Sequence, residues 1–233
     1  MIKEIKKHIF WFIALQRKNA IGQSLYSFSQ SISNALNNKI NDSKLNGEYC
    51  FLSSLEKNEI NLVFDVGANV GNWSLEVLKK FPDAKIHSFE PIPETFEKLQ
   101  IATGKTPKIK AHCNALSDKS GKLSFNYFPN QNTFSSFFDH FMGKDGKKIE
   151  VEAISGDEFC QRNNIHHIDL LKIDTEGFES KVLHGFQGMF EKGQIKMVQF
   201  EYGPLALESR FLLADFYNFF EKYDFEVGKI FPN

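Results

Sequence analysis

The stretch that decides the fold is VFDVGANVGNWS, residues 63–74. Apolar residues suited to a buried strand lead into a turn with two glycines, and a pattern typical of a helix follows. This layout is typical of the nucleotide-binding loops of α/β proteins. The dinucleotide form of the loop, however, has a glycine where this chain has Asn69, and Asp65 places a negative charge where a pyrophosphate would bind. The stretch therefore predicts a Rossmann-like fold with an unusual ligand.

The sequence after residue 46 alternates between strand-like and helix-like segments, so residues 47–233 are predicted to form one α/β domain. The buried strands are predicted at residues 61–67, 84–91, 107–117, 168–177 and 195–203, the third of which runs into a loop. Two further segments, 121–128 and 147–155, alternate in polarity like half-exposed strands. This order indicates a mostly parallel sheet with helices on both faces, in which ligands bind beyond the carboxyl ends of the strands.

Composition excludes several classes of function. A formal net charge of −1 gives no basic field of the kind that nucleic-acid-binding proteins use, so no nucleic-acid partner is predicted. The three cysteines are scattered without a CxxC spacing and the seven histidines without HExxH, which predicts neither a disulfide framework nor a zinc site. Such cysteine usage suits a reducing, cytoplasmic location. The 25 phenylalanines predict a phenylalanine-rich core.

Residues 1–46 are predicted to form a helical extension that lies against the core. Isoleucines recur at helical spacing from Ile2 to Ile13, and apolar residues do so from Leu25 to Ile40. The apolar run Ile9–Leu15 is too short to span a bilayer and is not followed by a small-residue cleavage site. The first helix either packs on the protein or lies on a membrane surface, where anionic lipid would meet Lys3, Lys6 and Lys7.

The first strand end predicts a ligand that carries positive charge. The carboxylate of Asp65 would repel a pyrophosphate but suits S-adenosylmethionine, which has an ammonium group and a sulfonium cation. Gly67 and Gly71 let the chain turn and let a ligand lie against the backbone, whereas the side chain of Asn69 would crowd a pyrophosphate. A nicotinamide-dependent oxidoreductase is the alternative that these glycines also allow.

The second and third strand ends add residues suited to an adenosine. Glu90 lies where an acid typically receives the ribose hydroxyls, with a solvated acid before Pro91 as the alternative. Asn114 is placed to bond the adenine edge, with Ala115 supplying backbone groups. The alternative for Asn114 is an ordinary turn residue.

The fourth and fifth strand ends carry ionisable residues. Lys172 and Asp174 are two residues apart on a strand, so their side chains point to the same side and can pair. They form either a structural ion pair or a site in which Asp174 contacts the methionyl ammonium or an incoming hydroxyl. Glu176 lies two residues further on, and Glu201 at the end of the fifth strand can join them.

Five blocks together resemble the FkbM family of S-adenosylmethionine-dependent methyltransferases. They are VFDVGANVGNWS, HSFEP, NALSDKSG, LLKIDTEGFE and VQFEYG, and the resemblance covers roughly residues 50–230. It implies a class I methyltransferase fold and methyl transfer to a hydroxyl oxygen, often on a sugar or a glycosylated metabolite. It also implies that the cofactor is held by Asp65, Gly67, Asn69, Gly71 and Glu90, with Asn114 and Ala115 at the adenine.

The carboxyl end of this sequence departs from the family pattern. The family sheet normally finishes with an antiparallel hairpin, whereas residues 223–233 suffice for one strand, so we expect either a truncated sequence or a missing last strand. The aromatic loop Phe128–Phe141 is predicted either to receive the acceptor, a small molecule or glycan, together with the N-terminal helices, or to cover the core as a lid. A non-catalytic scaffold that keeps the fold is a further alternative. The oligomeric state is not predicted.

The acids of the KIDTEG block are expected to lie beside the methyl group. Removal of the hydroxyl proton requires a base, for which Asp174 is the first choice and Glu201 the second, with Lys172 tuning the pair. No resident metal is predicted, although the carboxylates of Asp174, Glu176 and Glu201 would make an oxygen-rich site for a divalent ion.

Overall fold

The computed structural model describes residues 2–38, 42–127, 147–203 and 205–232. Two compact units are present, one formed by residues 1–54 with 229–233 and the other by residues 55–228. The predicted boundary between residues 46 and 47 falls inside the first unit. Ile40 and the predicted acceptor loop Phe128–Phe141 lie outside the described residues, so the predictions made for them stay predictions.

The larger unit alternates strands and helices, as its sequence predicts. Its strands are β1 Leu62–Val66, β2 Lys85–Phe89, β3 Ile109–His112, β4 Ala115–Ser117, β5 Gly121–Tyr127, β6 Lys147–Ser155, β7 Ile168–Ile173 and β8 Ile195–Phe200. The smaller unit contains helices α1 Ile2–Leu15, α2 Ala20–Leu36 and α3 Glu48–Ser54. The larger unit contributes α4 Asn72–Lys80, α5 Pro93–Thr103, α6 Gly156–Arg162, α7 Glu179–Gly185, α8 Gln187–Glu191, α9 Ala206–Ser209 and α10 Leu213–Glu221, with a 3-10 turn at Lys57–Glu59.

Five parallel strands form the main sheet in the order β3-β2-β1-β7-β8. The chain runs outward from β1 to β2 and β3, then returns to place β7 and β8 on the other side of β1. Crossovers between parallel strands are right-handed. The helices that connect β1, β2 and β3 therefore lie on one face of the sheet, and the helices that connect the strands on the other side of β1 lie on the opposite face. The class I methyltransferase fold is thereby confirmed, and its crevice is expected at the carboxyl ends of the neighbouring strands β1 and β7, where the strand order reverses.

The predicted third strand, residues 107–117, is two strands in different sheets. β3 pairs with β2, whereas β4 joins a second sheet of order β4-β6-β5. The change of sheet occurs at the two residues between them, Cys113 and Asn114. It buries Ala115 in a separate apolar cluster with Phe125 and Val151.

Residues 223–232 do not form a strand, although their length would allow one. In the described part of the chain no strand follows β8, so the main sheet ends there. Phe225 instead packs its ring 5.7 Å from the rings of both Phe190 and Phe220, on α8 and α10. The segment after α10 is therefore held by aromatic packing and not by pairing with β8.

Phenylalanine dominates the core of the larger unit, which confirms that prediction. The rings of Phe64 and Phe89 lie 5.7 and 4.8 Å from that of Phe159, nearly edge-on in both pairs. Two histidines, His87 and His112, stack in parallel beside Phe159, and burial lowers the pKa of each to about 4. These imidazoles are therefore neutral packing groups at neutral pH.

In the smaller unit, α1 and α2 are joined by a tight turn. The side chain of Asn19 caps α2 by accepting a hydrogen bond of 2.9 Å from the Gly22 N–H. A Cβ at Gly22 would lie 1.9 Å from the Gln16 carbonyl oxygen, so glycine allows this close approach. Two isoleucines of α1 are exposed, Ile5 by 53% and Ile9 by 52%. The packing of this helix on the core stays a prediction.

Among the residues that the structure describes, no helix combines the length and the apolar character required to cross a membrane.

Candidate active site

The loop after β1 is shaped by three residues with left-handed backbone. They are Gly67 (φ 80°), Asn69 (φ 49°) and Gly71 (φ 87°), and asparagine tolerates this conformation better than most residues. A Cβ at Gly67 would lie 1.8 Å from the Asp174 carbonyl oxygen, so glycine is required where the loops after β1 and β7 meet. A Cβ at Gly71 would lie 2.7 Å from Leu99 of α5, so this glycine serves helix packing.

Asp65 lies beneath that loop and is fully buried. Its Oδ1 accepts a hydrogen bond from Lys172 Nζ at 3.3 Å, and its Oδ2 accepts one from the Ser74 hydroxyl at 2.6 Å. The carboxylate thus connects β1 to β7 and to α4. Because both oxygens of Asp65 are bonded within the protein, this geometry does not favour the predicted direct contact of Asp65 with a cofactor. It favours an indirect role, in which Asp65 positions Lys172.

Glu90 supports the same loop from the end of β2. Its Oε2 accepts the Asn69 N–H at 3.1 Å, and its Oε1 accepts the Ile92 N–H at 3.0 Å. The side chain is 5% exposed, and burial raises its pKa to about 7 despite these two hydrogen bonds. Each carboxylate oxygen keeps a further lone pair, so the group can still accept hydrogen bonds from a ligand.

A cavity opens at the carboxyl ends of the strands, between these groups. Glu90, Asn114 and Ala115 line it as the sequence predicts, together with Gly67, Asn69, Asp174 and Glu176. The apolar part of its wall includes Phe89, Ile92, Leu116 and Phe125. A mainly apolar wall with a few polar groups is the usual form of a small-molecule site.

Thr95 is a lining residue that the sequence analysis missed. It lies in the first turn of α5 and is 1% exposed, and its hydroxyl has no hydrogen-bond partner among the described residues. A buried polar group without a partner is unfavourable, so a ligand that bonds this hydroxyl would be stabilised there. The only sequence signal was its place five residues after Glu90, on the helix that follows the second strand end.

The predicted pair of Lys172 and Asp174 forms, with Lys172 Nζ 3.2 Å from Asp174 Oδ2. Lys172 is 4% exposed, and its ammonium lies between Asp65 and Asp174 and 5.6 Å from the centre of the Trp73 ring. The register explains this arrangement, because Asp65 and Lys172 are direct partners of β1 and β7. Lys172 therefore belongs to a three-residue charge network below the cavity.

Three carboxyl groups gather above this network. Oxygens of Asp174, Glu176 and Glu201 all lie within 4.8 Å of one another. Burial opposes ionisation of Asp174, but the Lys172 ammonium and a hydrogen bond from Glu201 lower its pKa. Loss of water around Glu201 and the nearby Asp174 charge raise the pKa of Glu201, so this pair shares one proton at neutral pH. Burial and the Asp174 charge raise the pKa of Glu176 to about 7.

Glu179, which the sequence analysis left without a role, holds the loop that carries these acids. Its Oε1 accepts hydrogen bonds from the Thr175 N–H at 2.9 Å, the Thr175 hydroxyl at 3.0 Å and the Gly177 N–H at 3.1 Å. Glu176 lies between them in a left-handed conformation, with φ 53°. The available signal was an acid at the first position of a helix just after a glycine-containing turn.

The site residues thus divide by position. Those at the cavity wall are Gly67, Asn69, Glu90, Asn114, Ala115, Asp174 and Glu176, whereas Asp65, Gly71 and Lys172 support it from below or behind and Glu201 lies beside Asp174. Five of these eleven residues are acids and one is a lysine. Such a site favours a cationic ligand over an anionic pyrophosphate.

Known proteins that are similar to this chain include methyltransferases. Residues 65–227 match the model of the methyltransferase FkbM domain, and this range includes every predicted site residue. The chain is 28% identical over 149 residues to the hexuronic acid methyltransferase AglP of Haloferax volcanii, covering 64% of this chain and 59% of AglP. It is 30% identical over 169 residues to the methyltransferase sdnD of Sordaria araneosa, covering 59% of this chain and 64% of sdnD.

A third relative is the 31-O-demethyl-FK506 methyltransferase FkbM of Streptomyces tacrolimicus. Identity is 26% over 168 residues, which cover 59% of this chain and 64% of the relative. The matched region thus spans less than two thirds of the length of each of these relatives. The family model nevertheless matches well over half of this chain, including both loops that form the cavity. The chain therefore belongs to the FkbM family of methyltransferases.

Proposed function

We propose that this protein is an S-adenosylmethionine-dependent O-methyltransferase that acts on a hydroxyl group of a sugar or glycosylated small molecule. The observation that carries the proposal is the acid cluster of Asp174, Glu176 and Glu201, two of which line the cavity, in a chain of this family. The names of two relatives support the acceptor class, because AglP acts on a hexuronic acid and FkbM on an O-demethyl compound.

The cavity fits the proposed cofactor. The Glu90 carboxylate has lone pairs left for two ribose hydroxyls, and the partnerless Thr95 hydroxyl and the side chain of Asn114 can bond further polar groups. The excess of carboxyl groups offsets the positive charge of a sulfonium. A nicotinamide dinucleotide would place a pyrophosphate against the same carboxyl groups, so its binding is disfavoured.

Glu90, Thr95 and Asn114 would hold S-adenosylmethionine, which would supply an activated methyl group. The acceptor oxygen would form the new bond to the methyl carbon as the carbon–sulfur bond breaks, and the electron pair of that bond would stay on sulfur. The protein has to position the acceptor and accept the hydroxyl proton. Asp174 is ionised and half-buried, and we assign it the role of base. Its low basicity suffices, because the acceptor oxygen becomes strongly acidic as the new bond to carbon forms.

Lys172 and Glu201 position and tune this base. The Lys172 ammonium keeps Asp174 ionised, and the proton on Glu201 is donated to Asp174 in a hydrogen bond. Glu176 lines the cavity, and Glu201 lies beside Asp174 and Glu176. We assign both of them contacts with the acceptor hydroxyls.

Substitution of the base tests the proposal. Asp174→Asn keeps a side chain of the same shape but cannot take up the proton, so we expect loss of methyl transfer with S-adenosylmethionine binding largely unchanged. The matched control is Asp118→Asn, because Asp118 pairs with Lys181 away from the cavity. Transfer of a labelled methyl group to uronic acids and neutral sugars is measured, and the product is mapped by mass spectrometry.

Two results would contradict the proposal. Wild-type rates in the Asp174→Asn variant would remove Asp174 as the base. A product methylated on nitrogen or carbon would exclude the proposed reaction even if the cofactor binds.

A further inference from the structure

Helix α1 presents large apolar side chains to solvent. Phe10, Trp11 and Phe12 are exposed by 67%, 63% and 60%, and Leu15 by 53%. The seven residues Ile9–Leu15 are all apolar, so this half of the helix is apolar around its whole circumference. A helix of that kind is normally buried in protein or lipid.

Basic residues flank this apolar segment on both sides. Lys3, Lys6 and Lys7 precede it, and Arg17 and Lys18 follow it, all of them exposed. Glu4 is the one acidic residue in residues 2–18, which gives this stretch a formal charge of +4, whereas the whole chain carries −1. The positive charge is therefore concentrated at the segment with the most exposed aromatic residues.

Helix α2 extends the same kind of surface within this unit. It contains no charged residue, and it exposes Ile21 by 65%, Phe28 by 66% and Leu36 by 78%. The turn between the helices is fixed by the Asn19 cap and by the close contact at Gly22. The unit thus offers apolar side chains on two connected helices, with basic residues on the first.

We propose that α1 and the exposed residues of α2 dock on the surface of an anionic lipid bilayer. The apolar rings would enter the boundary between headgroups and acyl chains, where tryptophan is favoured, and the basic residues would contact the lipid phosphates. A second copy of this chain would cover the apolar residues but would bring two basic segments together. An anionic bilayer satisfies the apolar and the charged residues at once.

The expected strength of the charge contribution follows from membrane electrostatics. Each basic residue near an anionic surface strengthens binding by about 5-fold. Replacing Lys3, Lys6 and Lys7 by glutamine should therefore weaken binding to anionic vesicles by roughly 100-fold. Binding to neutral vesicles should be weak for both proteins, because it depends on the apolar residues alone.

The test uses the full chain with vesicles of phosphatidylcholine alone or with 30% phosphatidylserine. Flotation gives the bound fraction, and the emission of exposed Trp11 should shift to the blue on binding. Trp73 is 6% exposed and should not respond, so Trp11→Phe should remove the shift. Trp11→Ser combined with Phe12→Ser should weaken flotation.

Matched controls replace residues of the same type outside the smaller unit. Ile101→Ser removes an apolar side chain that is 82% exposed on α5, and Lys98, Lys105 and Lys119 can be replaced together by glutamine. Both controls should bind as the wild type does. The rate of methyl transfer to a free acceptor should be the same in all these variants.

Three outcomes would overturn the proposal. One is wild-type protein that fails to float with anionic vesicles. Another is equal binding to neutral and anionic vesicles, or equal loss in the control variants. The third is self-association through α1 and α2, detected by light scattering, in a protein that does not bind vesicles.

Discussion

Glu90 offers the most specific test of how the cavity binds its ligand. Glu90→Gln changes one carboxylate oxygen to an NH₂ group, which cannot accept the N–H of Asn69 or Ile92 and cannot accept a ribose hydroxyl. Loss of a hydrogen bond to a charged acceptor costs about 1.5–3 kcal/mol, so the affinity for S-adenosylmethionine should fall roughly 10- to 150-fold.

The stability of this variant should change much less. Burial raises the pKa of Glu90 from 4.5 to about 7, so its charge destabilises the folded state by about 3 kcal/mol above pH 7 and not at all below pH 4.5. Glutamine removes this penalty but leaves one backbone N–H without an acceptor, which costs about 1–3 kcal/mol. The two effects nearly cancel at pH 8, so reduced affinity would reflect the site and not unfolding.

Calorimetric titration at pH 8 measures the affinity, and urea denaturation measures the free energy of unfolding. The matched control is Glu97→Gln, the same substitution at an exposed position of α5. A folded Glu90→Gln protein with wild-type affinity would refute the assignment of Glu90 to the ribose.

Three further predictions follow from the same geometry. Affinity for the cofactor should rise as the pH increases through about 7 and Glu90 becomes ionised. Calorimetric titrations between pH 5.5 and 8.5 should show this pH dependence of the affinity in the wild type and not in Glu90→Gln. The same pH dependence in both proteins would assign the ionisation to another group. Glu179→Ala should leave three donors of the loop at residues 175–177 without an acceptor and slow transfer about 10- to 100-fold. Recovery with Glu179→Gln separates the lost acceptor from general damage, whereas a wild-type rate in the alanine variant would show that the acceptor is dispensable. Treatment with EDTA should not change the rate; loss of activity that Mg²⁺ restores would instead assign a metal to the carboxyl groups of Asp174, Glu176 and Glu201.

The parts of the site that follow local rules could be predicted from the sequence. Alternation along a strand places Lys172 and Asp174 on one side, and they lie 3.2 Å apart. The order of strands and helices predicts a parallel sheet, and its carboxyl ends bring Glu90, Asn114 and Asp174 to one cavity. These inferences depend on periodicity and chain order, which the sequence contains directly.

Other features depend on contacts between distant segments. Pairing of β1 with β7 brings Lys172 to Asp65, and nothing near residue 65 indicates this ion pair. The turn at Cys113 and Asn114 ends one sheet and starts another because Ala115 packs in a separate cluster. The sequence does not show that the Thr95 hydroxyl is buried without a hydrogen-bond partner among the described residues, because this depends on the packing around α5.

The central claim is that the cavity binds a cationic cofactor that contains adenosine. Calorimetric titration at pH 8 tests this claim most directly. We predict that S-adenosylmethionine and its demethylated product, S-adenosylhomocysteine, each bind at one site per chain and that NAD does not bind. Failure of both compounds to bind, or tighter binding of NAD, would contradict the account.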